Sequence, residues 1–205
     1  MKSFAPSFLV VLLVVFLASC TSSTPKQREN VCDIFREKSG WYDDARDSQR
    51  KWGSSIPIMM AIVYQESRFQ ARAKPPRKKI LWVLPGPRPA SAYGYAQATN
   101  ETWRAYKKST GAWSADRNNF EDAIDFIGWY NDQSYRRNKI QKTDPYHLYL
   151  AYHEGQGGFA KRSFRNKAWL KDVAKKVSGR AQTYQKQLNG CEKELQRGWF
   201  WNIFR

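Results

Sequence analysis

Apolar residues recur at helical spacing along most of this chain, and that periodicity constrains the fold more than any other feature. The clearest case is the segment 120–139, whose regularly spaced apolar positions are Phe120, Ala123, Ile124, Ile127 and Tyr130. From Cys32 onward, few stretches show the alternation of apolar and polar residues that is typical of strands. The sequence therefore predicts a mainly α single domain over residues 32–195, with little β structure.

Start and stop signals predict the remaining helices. Ser54-Ser55-Ile56-Pro57 is a helix start, because serine caps a helix N-terminus and proline fits its first turn. The helix that it opens is expected to run from Ile58 to about Phe69. The other expected helices are one or two within 31–51, one capped by Asn100 and ending near Lys108, one from Pro145 to His153 that stops at Gly155, and one over 167–195 with a weak point at Ser178-Gly179.

The segment 71–90 differs from the rest of the chain. It is rich in proline, lysine and arginine around a small apolar patch, Ile80 to Leu84. Closely spaced prolines prevent a long helix. We expect a basic loop here, with a short hairpin as the alternative to an irregular segment.

The N-terminus predicts export. Lys2 precedes an unbroken apolar run, Phe8 to Leu17, which is too short for a membrane span and typical of a signal peptide. The run ends in Leu17-Ala18-Ser19-Cys20, which resembles the lipobox of bacterial lipoproteins. That resemblance implies a signal peptide over 1–19, a lipid anchor on Cys20 and a polar tether over 20–31. The alternative is an ordinary signal peptide that ends near a cysteine.

The residue after Cys20 bears on localisation. Thr21 stands there instead of aspartate, which resembles the pattern that sorts lipoproteins to the outer membrane. The expected location is therefore the cell envelope, at the periplasmic face of the outer membrane.

Two cysteines, Cys32 and Cys191, remain besides the predicted anchor. An exported protein permits a disulfide between them, with two free thiols as the alternative. Neither cysteine has a second ligand nearby in sequence, so no metal is expected.

The formal charge of +17 predicts an acidic partner. Removing residues 1–19 removes Lys2 alone, so the exported chain keeps 17 − 1 = +16. No nucleic-acid motif is present, and an envelope protein rarely meets nucleic acid, so that partner is not expected. The alternative is that the charge reflects a solvated surface with scattered lysines.

The aromatic tail, residues 196–205, either folds back on the domain, lies in a bilayer interface or docks on a partner.

Three short segments occur in a fixed order. They are residues 56–69, which end in Glu66-Ser67-Arg68-Phe69, residues 92–99, which contain the turn Gly94-Tyr95-Ala96-Gln97, and residues 151–159, which begin Ala151-Tyr152-His153-Glu154-Gly155. Together they resemble the soluble lytic transglycosylase family, over roughly residues 40–165. The resemblance implies a lysozyme-like fold and cleavage of peptidoglycan glycan strands without a cofactor.

The resemblance also assigns roles to individual residues. Glu66 would be the single catalytic acid/base. Ser67 would orient its side chain or hold substrate, and Gln97 would bind glycan or fix the turn. Tyr152 corresponds to the family tyrosine that faces the catalytic carboxyl. Substrate binding is further expected of Tyr95 and of His153. Tyr152 could instead be a buried core tyrosine, and His153 a structural histidine.

Elementary chemistry supports the role of Glu66 independently of the family. On a helix, Glu66 shares a face with Ile58, Ile62 and Phe69, which places its carboxyl among apolar groups. Removal from water and the negative end of the helix dipole both disfavour the carboxylate. Both effects raise the pKa toward the value that a general acid needs near neutral pH. A solvated glutamate at the edge of the helix face, or one paired with Arg68, is the alternative.

Departures from the family pattern keep other functions open. Tyr95-Ala96 replaces the usual Leu-Met, and His153-Glu154 replaces asparagine and a small residue. Glu154 could in principle support a hydrolytic route, so a muramidase on the same fold is an alternative. A weakly active glycan-binding lipoprotein that serves a secretion or conjugation machine is another.

Overall fold

The structure, a computed structural model, describes residues 23–76, 79–80, 84–85 and 91–203, with only the backbone for 79–80, 84–85 and 197–203. The helices, in chain order, are α1 (Val31–Glu37), α2 (Trp41–Trp52), α3 (Ile56–Ser67), α4 (Asn100–Thr110), α5 (Phe120–Asn138), α6 (Pro145–Ala160) and α7 (Ala168–Ile203). Strands β1 (Lys79–Ile80) and β2 (Leu84–Pro85) form an antiparallel pair between α3 and α4. The prediction of a mainly helical domain with little β structure is confirmed, as is the short hairpin.

Local sequence explains where the helices begin. Asn119 caps α5 by accepting a hydrogen bond from the backbone N–H of Glu121, and Asp144 caps α6 by accepting from that of His147. For α4 the cap is Thr99, whose hydroxyl accepts from the Thr102 N–H. The expected cap, Asn100, is the first residue inside that helix. Ser55 occupies the cap position of α3, but its side chain makes no capping bond.

Helix α3 is the centre of the molecule. Every residue from Ile56 to Val63 is buried. A helix that is apolar on all sides needs neighbours on all sides, and α3 packs against α2, α5 and α7. The helix was expected to run to about Phe69, but it ends at Ser67, and Phe69 is buried beyond it.

Helix α7 runs without interruption through Ser178-Gly179, so the predicted weak point there is wrong. Its residues face α3, α6 and α1, and the apolar face that packs on them comprises Leu170, Ala174, Val177, Ala181, Tyr184 and Leu188. This tertiary packing outweighs the intrinsic cost of one helical glycine, about 1 kcal/mol. The backbone of the predicted tail continues α7 to Ile203, while the tail's side chains from residue 197 onward lie outside the described residues.

A disulfide joins Cys32 of α1 to Cys191 of α7, as the cysteine pattern predicts. The two residues are 159 apart in sequence. By the loss of loop entropy in the unfolded chain, a closure of this length contributes at most about 5 kcal/mol. The bond holds the first and last helices of the domain together.

The segment before α1 also binds to the domain. The Tyr184 hydroxyl donates to the Arg28 carbonyl, and the Gln187 side chain bonds both the Glu29 carbonyl and the Val31 N–H. Residues 28–31 of the predicted tether are therefore part of the folded unit. The predicted signal peptide and Cys20 lie outside the described residues. Within the described part of the chain, no helix is both long enough and apolar enough to cross a membrane.

Candidate active site

Glu66 lies in the last turn of α3, one residue before the helix ends. Arg68 and Phe69 then adopt left-handed backbone conformations, with φ values of 51° and 63°. This conformation raises the energy of residues other than glycine, so two such residues in succession mark a turn that the surrounding structure enforces. The turn buries Phe69 completely and fixes the chain direction immediately after Glu66.

Burial is the main influence on the Glu66 carboxyl. It raises the pKa of Glu66 from 4.5 to about 7, while a hydrogen bond from the Tyr149 hydroxyl opposes the shift. The residue as a whole retains some solvent-accessible surface. The arrangement provides a carboxyl that can release and recover a proton near neutral pH.

Tyr149 is the hydrogen-bond partner of the Glu66 carboxyl, and sequence reasoning missed it. It lies on α6, is 3% exposed, and its pKa is raised by burial and by the neighbouring Glu66 charge. A signal was available, since Tyr149 and Tyr152 are three residues apart and share a helix face. Only the three-dimensional packing shows which of the two hydroxyls meets the carboxyl.

Tyr152 lies beside Glu66, as expected, but its hydroxyl bonds to the backbone of the second segment. Its hydroxyl donates to the Ala96 carbonyl at 2.5 Å, and its ring packs edge-on against Tyr130 at 5.0 Å. Burial, then the Glu66 charge, raise the pKa of Tyr152 well above its usual value, so the two groups are near each other. Tyr152 thus joins the second and third segments of the resemblance beside Glu66, and Tyr149 makes the hydrogen bond.

The second segment is a tight turn that holds the site together. Gly94 has a φ of +80°, and a Cβ there would lie 2.0 Å from the Arg117 carbonyl oxygen, so only glycine fits. The Gln97 amide donates to the carbonyls of Ala73 and Gly94, each at 2.9 Å. Of the two roles expected for Gln97, these bonds support the fixing of the turn.

Tyr95 was predicted to bind substrate, and that prediction is wrong. Its side chain is fully buried, with its ring packed edge-on against Trp41 and Phe120, each at 5.6 Å between centroids. A side chain with no accessible surface cannot contact a glycan. It is the core anchor of the Gly94 turn.

Ser67 is buried as well. Its hydroxyl donates to the Val63 carbonyl one turn back, at 3.1 Å. This is the bond that a helical serine makes to the carbonyl one turn earlier. The structure therefore favours a structural role for Ser67 over contact with substrate.

His153 and Glu154 belong to a surface cluster. His153 is exposed, contacts the Trp169 ring at 5.1 Å and lies 3.2 Å from a Glu154 oxygen. Glu154 accepts from Ser163 and forms an ion pair with Lys167 at 2.8 Å. These donors outweigh burial and lower the pKa of Glu154 to about 2. The proposed substrate contact of His153 stays a prediction.

Among the residues that the structure describes, no group of three or more His, Cys, Asp or Glu side chains could hold a metal ion. The side chains of the basic loop from residue 77 to residue 90 lie outside the described part.

The raised pKa of Glu66 has a consequence for stability. Between the unfolded pKa of 4.5 and the folded pKa of about 7, the folded chain binds the extra proton, so stability falls as pH rises through this window. We expect Glu66→Gln to stabilise the protein at pH 8 by about 2–3 kcal/mol and to have little effect at pH 4. Urea unfolding at the two pH values measures the difference. The matched control is Glu101→Gln, at an exposed glutamate; an equal effect of both substitutions would contradict the burial of the Glu66 carboxyl.

Comparison with known proteins agrees with this geometry. A family model described as the transglycosylase SLT domain matches residues 8–191, which is most of the chain. No curated protein matches the chain. The matched region contains all three segments around Glu66, and the helical architecture is that of a lysozyme-like domain of this family. The chain therefore belongs to the transglycosylase SLT family, whose substrate is peptidoglycan.

Proposed function

We propose that this protein is a lytic transglycosylase that cleaves the β-1,4 bond between N-acetylmuramic acid and N-acetylglucosamine, with Glu66 as its single acid/base. The observation that carries the proposal is the desolvated Glu66 carboxyl, with a pKa of about 7, bonded to Tyr149 on the helix of the third segment. Membership of the family supports the substrate.

The reaction needs one proton and no water. Protonated Glu66 donates its proton to the glycosidic oxygen as the bond to the muramoyl anomeric carbon breaks. The substrate's own acetamido group stabilises the positive charge that develops on the muramoyl ring. The Glu66 carboxylate then takes the proton of the muramoyl 6-hydroxyl, whose oxygen bonds to the anomeric carbon. The product is a 1,6-anhydro sugar, and Glu66 regains its proton.

Tyr149 stabilises the charged form of Glu66 in this scheme. Its hydroxyl can donate to the carboxylate after the first proton transfer, which stabilises the charged form that must act as a base. Because its own pKa is raised, Tyr149 keeps its proton throughout the cycle. It is therefore a positioning residue that tunes Glu66.

Hydrolysis on the same fold would need a second carboxylate to activate water or to act as nucleophile. Glu154 is the residue that motivated this alternative. Both of its oxygens bond to the Lys167 ammonium, and Ser163 donates to one of them. These partners favour a structural carboxylate, which supports the non-hydrolytic route.

Glu66→Gln tests the assignment. The amide cannot donate or accept the catalytic proton, so release of soluble muropeptides from sacculi should fall by at least about a thousandfold, while binding to sacculi persists. Mass spectrometry of the digest should show 1,6-anhydro ends for the unaltered chain. Reducing ends would identify a hydrolase, and undiminished turnover by the Gln variant would remove Glu66 from its role. Glu101→Gln is the matched control.

We further propose that Cys20 carries a lipid anchor that places the enzyme on the periplasmic face of the outer membrane, next to its substrate. The apolar run, the small residues before Cys20 and Thr21 support this. A partner in an envelope machine could bind the aromatic tail.

Cys20→Ala should release the protein from the membrane fraction, because the acceptor sulfur of the lipid is gone. Fractionation of cells that express each form measures this, with Ser22→Ala as the neighbouring control. Continued sedimentation of the Ala variant with membranes would exclude the anchor.

A further inference from the structure

A cavity of about 650 Å³ lies where α5 ends and where the last turn of α6 meets the segment after it. We call it the basic pocket. Its lining contains four Lys or Arg residues and no Asp or Glu; the residues that line it are Arg137, Asn138, Lys139, His147, Phe159, Ala160, Arg162, Phe164 and Arg165. Neither Glu66 nor Tyr149 lines it, so it is separate from the candidate active site.

The cations of the basic pocket have no ion-pair partners among the described residues. The ion pairs of this part of the chain engage neighbours instead: Arg136 and Lys142 both bind Asp132, and His147 binds Asp144. Arg137, Lys139, Arg162 and Arg165 are exposed and occur in none of these pairs. Four like charges around one cavity repel each other, and an anion would relieve that repulsion.

Two of these cations lie at backbone positions that disfavour them. Lys139 and Arg162 have φ values of 59° and 56°. In this left-handed region, glycine or asparagine is preferred, and other residues cost on the order of 1 kcal/mol. The chain carries long basic side chains at both positions, which points to a use for the charges.

An aromatic surface forms one wall. The rings of Phe159 and Phe164 stack at 5.2 Å between centroids with an angle of 28°, and both residues are partly exposed while packing on the core. A planar apolar surface beside several cations suits a ligand that combines apolar or sugar-ring surface with carboxylates.

The basic pocket also adjoins the wall of the active site. Burial raises the pKa of Tyr130 to about 12, and the nearby Arg137 charge opposes that shift. Tyr130 in turn contacts Tyr152 beside Glu66. Asn138 donates to the side chain of Gln156 in the third segment. Packed side chains therefore link the basic pocket to the surroundings of Glu66.

We propose that the basic pocket is an accessory site that binds the carboxylate-bearing stem peptides of peptidoglycan, with sugar or peptide surface on Phe159 and Phe164. The proposal rests on the proposed function for its substrate. It adds a specificity element, because glycan with acidic stems would bind better than neutral glycan.

A competing explanation is that the cations only neutralise the carboxyl ends of α5 and α6. That explanation predicts a loss of stability when the charges are removed, and no change in binding. The proposal predicts a change in binding that depends on the ligand's carboxylates. The two explanations are therefore separable by experiment.

The test uses the full chain carrying Glu66→Gln, so that the ligand is not cut. The probes are a disaccharide–tetrapeptide muropeptide and the same compound with its carboxyls converted to amides. Arg137→Gln, Lys139→Gln and Arg162→Gln together should weaken binding of the carboxylate form about tenfold, since each exposed ion pair contributes modestly. The amide form should bind equally to both proteins. Isothermal titration in about 0.15 M salt measures the affinities, because more salt would screen the pairs.

A matched triple variant controls for overall charge. It removes the same charge from exposed positions on other surfaces and should leave the affinity unchanged; its substitutions are Arg104→Gln, Lys108→Gln and Lys186→Gln.

Arg162→Gly is a second test, because it removes a charge and also relieves the left-handed backbone position. It should lower the affinity for the carboxylate form without lowering the melting temperature. Equal weakening by both triples, equal loss for the amide probe, or unchanged affinity would each overturn the proposal. Stronger competition by glycerol phosphate than by the muropeptide would also overturn it, in favour of a lipid headgroup.

Failure here is distinct from failure of the proposed function. The pocket is assayed by binding to a protein that lacks the Glu66 carboxyl, whereas the reaction is assayed by the products of the unaltered chain. If the protein releases anhydro products but binds the carboxylate and amide probes equally, the proposed function stands and the accessory site is contradicted.

Discussion

The burial of α3 on all sides is the constraint on which the rest of the structure depends. Because the residues from Ile56 to Val63 are all in the core, the helix needs neighbours around its whole circumference, and α2, α5 and α7 provide them. Glu66 lies at the point where this apolar helix ends. Its carboxyl is therefore kept from bulk water by the same packing that stabilises the domain, and the raised pKa follows from that burial.

The surrounding elements hold the carboxyl's partners in place. The Gly94 turn is fixed by Gln97 and anchored by the buried ring of Tyr95, and Tyr152 ties this turn to α6. Helix α6 in turn carries Tyr149 to Glu66. The long helix α7 packs against α3, and the disulfide between Cys32 and Cys191 links α7 to α1 at the start of the domain. The reacting group is thus positioned by regular secondary structure, which limits its movement.

The sequence predicted the features that depend on local chemistry. Helical spacing located most helices, and the apolar face that Glu66 shares with Ile58 and Ile62 predicted the burial that raises its pKa. The features that it missed depend on long-range packing. Nothing local in the sequence distinguishes Tyr149 from Tyr152, or shows that Tyr95 points into an aromatic cluster with Trp41. Likewise, a glycine in α7 has a local cost that only contacts with α3 and α6 outweigh.

The central claim is that the Glu66 carboxyl is desolvated enough to exchange a proton near neutral pH. Carbon-13 NMR of the glutamate side-chain carboxyls, with Glu66→Gln used to assign the resonance, measures this directly in the absence of substrate. The account predicts a titration midpoint of about 7 for Glu66. A midpoint near the ordinary value of 4.5 would show a solvated carboxylate and would contradict the account.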